Sequence, residues 1–444
     1  MSISKVQTAL ANRPIIFYGW VVVAVGFVTL AVTFGIWYSF SVFFLALITD
    51  FNWSHAAVST IFSVFILSHA LTGLLTGYLQ DRFGPRVVIP MGSLILALSL
   101  MLTSQAQNLW HFRICYGVFA GAGVSLLGFA SHAAFLPKWF ERQRGLAVGI
   151  AMSGIGFGML FLIPLIDSVI TAYGWRAAYL YLAGLVLIVV GPLNFIFSRH
   201  SPERLNLRPD GDVTVTDHEP PGAKMILEVV DSDWVRQEWT LKSAFFTGRF
   251  WFLVFAFFFL SYTYQGTLLH SISAMVDAGL KRETAALYFG VLGIAGSGGK
   301  ILFGYLSDLF GRERINSLGG ALAILGIFCL MSASWLGGSL PLLFAILFGV
   351  GYGAAAPLLP AISADIFLGK SFGLIFAVIC IGSGVGGALG SFLVGFLRDL
   401  SGTYVISFTI GCVTLSLSCI LIWLAGPRKV RRMVKHRTRT DLSP

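Results

Sequence analysis

Lys300 is the only formal charge in an otherwise apolar run from 284 to 307, eight residues before Asp308. If that run is a helix, the lysine lies about 12 Å inside its end, at roughly 1.5 Å per residue. A charge at mid-helix in a membrane costs at least about 2.5–3.5 kcal/mol, so it is kept for a substrate, a coupling ion or a partner. The competing reading is a side chain that snorkels to the interface, or a structural ion pair. Ser297-Gly298-Gly299 leaves room for a ligand beside it. The stretch is not a phosphate-binding loop: Ile294 stands where the first glycine belongs, and Ile301 where Ser or Thr would hold Mg²⁺.

Other ionisable side chains interrupt the apolar runs. His270 follows Tyr262, Tyr264 and Gln265. An imidazole there takes a proton near neutral pH or donates to an anion, and the bland alternative is a satisfied packing histidine. His132 and His69 read as structural. Asp167, near Pro164, reads as the partner of Arg113 or Arg176, with proton carriage as the second reading. The cysteines Cys115, Cys329, Cys380, Cys412 and Cys419 lie in apolar runs without short spacing, as packing residues do. Neither a metal-ligand cluster nor a nucleophile–base set stands out, so the expectation is no cofactor, no metal and no enzyme.

The elements that hold these residues must be membrane helices. Charged residues make up 11% of the chain and its mean hydropathy is +0.82, against about 25% charged in soluble domains. Runs long enough to span fall at 16–46, 54–79, 87–106, 110–136, 144–170, 176–197, 248–276, 284–307, 315–335, 340–364, 371–397 and 403–425. The fifty glycines suit close helix packing in lipid. The fold class expected is an all-α membrane protein of twelve transmembrane helices. Its parts are a six-helix half over 1–197, a cytoplasmic linker over 198–247, a second half over 248–425 and a basic tail over 426–444. A short amphipathic helix is expected near Trp234. No cleavable leader is evident before the first run.

The net charge of +10 does not point to nucleic acid. Of the 30 Lys and Arg, 24 fall on the termini and alternate loops of one side, and five on the other. By the positive-inside pattern both termini are cytoplasmic.

The two halves repeat. Gly77-Tyr78-Leu79-Gln80-Asp81-Arg82-Phe83-Gly84 returns as Gly304-Tyr305-Leu306-Ser307-Asp308-Leu309-Phe310-Gly311, an offset of 227. Arg144-Gly145-Leu146 matches Phe372-Gly373-Leu374, and Tyr173-Gly174-Trp175 matches Ser401-Gly402-Thr403, both at 228. A constant offset implies parallel repeats about an axis along the membrane normal. Asp81 and Asp308, close to Arg82, Arg86, Arg312 and Arg314, read as a charged gate at helix ends. The alternative is solvated loop charge. Lys300 has Gly73 as its counterpart, so the embedded cation belongs to one half alone.

The motif Gly77 to Arg86 and its copy at Gly304 to Arg312 resemble the signature of the major facilitator superfamily. Within it the chain resembles the monocarboxylate transporters and the oxalate/formate antiporter relatives. The residues behind that are Tyr18-Gly19-Trp20, Phe51-Asn52-Trp53-Ser54, Pro137-Lys138-Trp139-Phe140, Arg144-Gly145-Leu146-Ala147, Tyr173-Gly174-Trp175-Arg176 and Ala364-Asp365-Ile366-Phe367. The resemblance implies alternating access around a cavity lined by helices 1, 4, 7 and 10, with contributions from 2, 5, 8 and 11. It places Lys300 at the family's substrate-binding cation, usually arginine; lysine acts more as a point charge than a two-point fork. Tyr38 stands where animal members have a lysine, and Gly296 where they have an acid, so a proton route through that acid is not implied. Tyr38, Phe129, Tyr264 and Tyr352 fall on cavity helices, where packing is the competing role. Asp365 joins the gate.

The expected function is secondary transport of a small organic anion, a monocarboxylate, by proton symport or anion exchange. Lys300, His270, Tyr38, Phe129, Tyr264 and Tyr352 are the expected substrate residues, with His270 and Asp167 as proton carriers. A monomer in a plasma membrane, bacterial inner membrane foremost, is expected. The alternatives are efflux of a hydrophobic compound and a non-transporting sensor whose linker and tail bind a partner or anionic lipid.

Overall fold

The computed structural model describes residues 17–140, 144–205, 207–209, 225–336 and 338–435. Residues 1–16, 141–143, 206, 210–224, 337 and 436–444, the end of the basic tail among them, lie outside the described residues.

Twelve helical segments cross the molecule. They are α1 (Tyr18–Phe51), α2 (His55–Phe83), α3 (Pro85–Ser104), α4 (109–135), α5 (144–173), α6 (175–197), α7 (Gly248–Asp277), α8 (Arg282–Phe310), α9 (Arg312–Leu336), α10 (340–367), α11 (Phe372–Ser401) and α12 (Val405–Ala425). Among the described residues, ten helical stretches are long and apolar enough to cross a membrane. One of them, Leu146–Phe197, holds both α5 and α6 around Gly174. α4 is built from shorter pieces: a π-helical stretch over Arg113–Ala120 and a break at Gly128. α10 is likewise interrupted, at Ala354.

The sequence repeat has a matching backbone. Gly84, after α2, has φ +76 and Gly311, after α8, has φ +93. Left-handed φ is strained for residues with a Cβ, so glycine ends both helices at the same turn. α1 packs chiefly on α5, and α7 on α11 in the same way. The halves meet where α2 lies against α11 and α5 against α8.

Two ends of the molecule differ. The face reached by the turns at 52–54, 278–281 and 402–404 is sealed across the halves, and we call it the closed face. Arg282 at the start of α8 donates to Asp167 of α5 at 2.5 Å and to the Val42 carbonyl of α1 at 3.2 Å. Asp399 of α11 accepts from the backbone N–H groups of His55 and Ala56 at 3.0 and 2.7 Å, capping α2 from the opposite half. His55 Nδ1 adds a 2.8 Å contact to the same carboxylate. The face carrying Tyr18 and Ala425 shows no ion pair between the halves among the described residues, and we call it the open face.

The sequence reading gives the linker a short helix near Trp234 and no strand. A five-residue helix does form, Ser232–Arg236, capped by Asp231. The linker also supplies a strand, Met225–Val229 (β1), that pairs antiparallel with Arg431–Lys435 of the tail (β2). Trp234 donates to the Ile366 carbonyl, and Arg431 to the carbonyls of Ala364 and Asp365. A helix leaves its last carbonyls unpaired; here linker and tail together satisfy those of α10.

Candidate substrate site

Between the halves, below the closed face, lies a cavity of about 280 Å³ whose walls include Tyr38, Phe129, Gln265, Lys300 and Tyr352. It continues toward the open face into a vestibule of about 670 Å³, which shares Phe129, Met152 and Lys300. The lysine thus stands at the junction. Close packing of α8 on α10 puts it there: Gly353 lies so near the Lys300 backbone nitrogen that a Cβ would sit 2.9 Å from it. Glycine at 353 lets the two helices approach, and the Lys300 stem emerges beside the contact. Among the described residues Lys300 has neither an ion pair nor a hydrogen bond. A membrane-embedded cation facing a cavity without its own counterion is costly to keep, which makes Lys300 the candidate functional group of this cavity.

Tyrosines roof the cavity. The Tyr38 hydroxyl of α1 meets that of Tyr352 of α10 at 2.6 Å, one half touching the other. Tyr264 stacks edge-on to Tyr352 at 5.2 Å and donates to the Gly351 carbonyl at 3.4 Å. The aromatic walls leave these hydroxyls among the few polar groups beside the cavity.

Of the expected substrate residues, Lys300, Tyr38, Phe129, Tyr264 and Tyr352 come together around this cavity. His270 does not. It lies in the seal of the closed face, fully buried, 3.2 Å from Ser59 Oγ of α2, 3.1 Å from the Ser391 carbonyl of α11 and 3.3 Å from the Tyr404 hydroxyl. α7 continues toward the closed face beyond Gln265, which lifts His270 above the cavity. Asp167 also sits in the seal, and its partner is Arg282 rather than Arg113 or Arg176. Arg113 donates to Thr60 instead, and Arg176 pairs with Asp50. His132 contacts the Gly128 carbonyl of its own helix, and His69 stands edge-on to Trp37 at 4.7 Å.

The residues expected to form a gate lie at the open face, and each set stays within its own half. Arg312 pairs with Asp308 at 2.7 Å and with Asp365 at 3.4 Å. In the first half Arg82 donates to the Tyr78 hydroxyl and Arg86 to the Phe195 carbonyl, while Asp81 makes no ion pair among the described residues. Sequence reasoning passed over Ser261, Gln265 and Ser383, which also line the cavity. The i, i+4 spacing of Ser261 and Gln265 on α7 was the available signal.

Residues 25–382 match the family described as Major Facilitator Superfamily. The chain belongs to that superfamily. Its curated relatives include monocarboxylate transporter 12 of Xenopus laevis, 26% identical with 92% of this chain and 88% of that protein covered. Monocarboxylate transporter 13 of Bos taurus is 29% identical over 92% and 89%. Among solved structures, a bacterial homologue of the human lysosomal transporter Spinster, inward-facing and unoccupied, aligns with a TM-score of 0.68 at 15% identity, covering 93% of this chain and 98% of that one. The D-xylose-proton symporter aligns at 0.67 and 17% identity, covering 92% and 98%. The superfamily member described here is thus a multi-pass membrane transporter and not an enzyme.

Proposed function

We propose that this transporter moves a small organic anion, a monocarboxylate, by alternating access, and that Lys300 binds its carboxylate. The observation that supports this most is the unpaired Lys300 at the junction of cavity and vestibule. The names of the curated relatives agree with it. Tyr38 and Tyr352 supply hydroxyl donors from opposite halves, so an anion held between them and Lys300 interacts with both moving bodies. That is what a substrate must do to couple its binding to their rearrangement. We assign the halves to 1–197 and 248–425, Asp81, Arg82, Arg86, Asp308, Arg312 and Asp365 to the gate, and the open face to the cytoplasm of a plasma membrane. The charge count of the loops supports that last assignment.

Proton symport is the coupling we favour over exchange. The closed-face seal holds two titratable side chains between the halves, His270 and Asp167, whose partners on the opposite half move away as the halves part. The experiment is uptake of a radiolabelled monocarboxylate by proteoliposomes, with and without a pH gradient. Lys300→Gln is expected to lose uptake by about 100-fold or more, the scale for removing the charge from a charge-assisted contact, and Lys300→Arg to retain it. Undiminished uptake by a folded Lys300→Gln protein rules the assignment out.

A further inference from the structure

Resting on the reading of the cavity as a carboxylate site, we infer that its substrate is an acid with an apolar body of aromatic-ring or branched-chain size that also bears a neutral hydrogen-bond donor, and that Gln265 reads that donor.

Three observations lead there. The first is the wall. Phe34, Phe129, Ile155, Phe257, Leu359 and Phe376 surround the inner cavity. A two- or three-carbon acid bound to Lys300 leaves most of that surface facing trapped water, whereas a ring covers it and releases the water. The second is an orphan. Gln265 Oε1 is buried in the wall with no hydrogen-bond partner. Such an oxygen costs desolvation free energy until a donor meets it, and its residue lines the inner cavity. The third is the support behind it. A Cβ on Gly387 of α11 would come within 3.0 Å of Gln265 Cγ. The glycine makes room for the side chain against α11, so its amide is held in the wall.

The charge of the donor follows from the rest of the lining. Among the residues that line the cavity, Lys300 is the one charged group. An ammonium on the substrate would face a cation and find no carboxylate, so the donor is a hydroxyl or a neutral N–H. This selects hydroxy acids with a bulky apolar body over both simple short acids and zwitterionic amino acids.

The test uses the full chain in proteoliposomes with radiolabelled 2-hydroxy-3-phenylpropanoate as tracer. Competitors are the same unlabelled acid, 3-phenylpropanoate, lactate and phenylalanine. The hydroxylated aromatic acid is expected to compete best, with about a tenfold loss on removing the hydroxyl, the worth of one well-placed hydrogen bond. Loss of the ring is expected to cost at least as much, and phenylalanine to compete worst. Gln265→Leu is expected to bring the ratio between the two phenyl acids from about ten to about one, and Gln265→Met, which keeps the side-chain length, serves if the leucine variant does not fold. Equal competition by lactate and the aromatic acid, or a retained hydroxyl preference in the folded Gln265 variants, overturns the inference while leaving the carboxylate reading intact. If Lys300→Gln transports the tracer as the unaltered protein does, the carboxylate reading itself falls.

Discussion

Lys300 and the tyrosine pair act at the scale of single atoms. The 2.6 Å contact between Tyr38 and Tyr352 is the hydroxyl bridge that joins the halves above the cavity. One such bond contributes about 0.5–1.5 kcal/mol net. Tyr38→Phe is expected to bias the protein toward opening of the closed face by that amount, Tyr352→Phe by the same, and the double variant by no more than either, because the three remove one interaction. Accessibility of a cysteine placed in the seal reads the bias; additive effects would show that the hydroxyls act separately. Lys300 was legible from sequence because a charge in an apolar run announces its own cost. The tyrosines were legible only through the family resemblance, since an aromatic on a membrane helix packs as readily as it binds. Gln265 was in view but silent: its seat in the cavity wall depends on Gly387, which is 122 positions away in the chain.

At the scale of elements, the ends of helices do the switching. Asp399 caps α2 from the other half, so the cap exists only while the closed face is shut. Removing an N-cap costs about 1–2 kcal/mol, a factor of roughly 5–30 in a two-state equilibrium. Asp399→Ala is therefore expected to populate the state open at this face by that factor, measured by labelling of a cysteine in the inner cavity from the closed-face side. Unchanged labelling would mean the cap does not bear on the equilibrium. At the other face Arg431, 6% exposed, donates to two carbonyls at the end of α10 while Asp365 beside them holds Arg312. Arg431→Ala is expected to cost about 1–3 kcal/mol, as losing the partner of buried carbonyls does, seen as a lower thermal unfolding midpoint in detergent. A midpoint equal to that of the unaltered protein would leave the tail contact without energetic weight. Helix number and the repeat were plain in the sequence because apolar length and constant offset are local properties. The partner of Asp167 was not, because the choice of Arg282 over Arg113 and Arg176 depends on how α5 meets α8 across the halves. The place of His270 was missed for a related reason. Its helix was assigned correctly, but α7 runs from the cavity into the seal, and sequence alone does not say where along it the cavity ends.

At the scale of the whole molecule, two six-helix bodies touch at one end and part at the other. The seal rests on α2 against α11 and α5 against α8, with His55, Asp399, Asp167 and Arg282 at its rim. Cysteines at 55 and 399 joined by a short, membrane-impermeant crosslinker are expected to stop transport entirely, while the vestibule at the open face stays accessible to ligand. Added to intact cells, the reagent is expected to react if the orientation proposed from the loop charges holds, since it puts this rim outside. Transport that continues after complete crosslinking would contradict alternating access about this seal. Failure of the reagent to react from outside would invert the orientation.

The ribbon between β1 and β2 bears on how the protein is made. Its strands are about 200 residues apart, so Met225–Val229 leaves the ribosome long before its partner Arg431–Lys435 exists, and contacts of such separation are late ones. The Asp365 carbonyl at the end of α10 waits for the same stretch of chain, since Arg431 is its donor. The second bundle can therefore insert helix by helix, but its linker is fastened only after α12 and the residues just beyond it are made. A chain stopped at Gly426 would have all twelve helices and an unfastened linker, and quality control that senses that strand would tell the two forms apart.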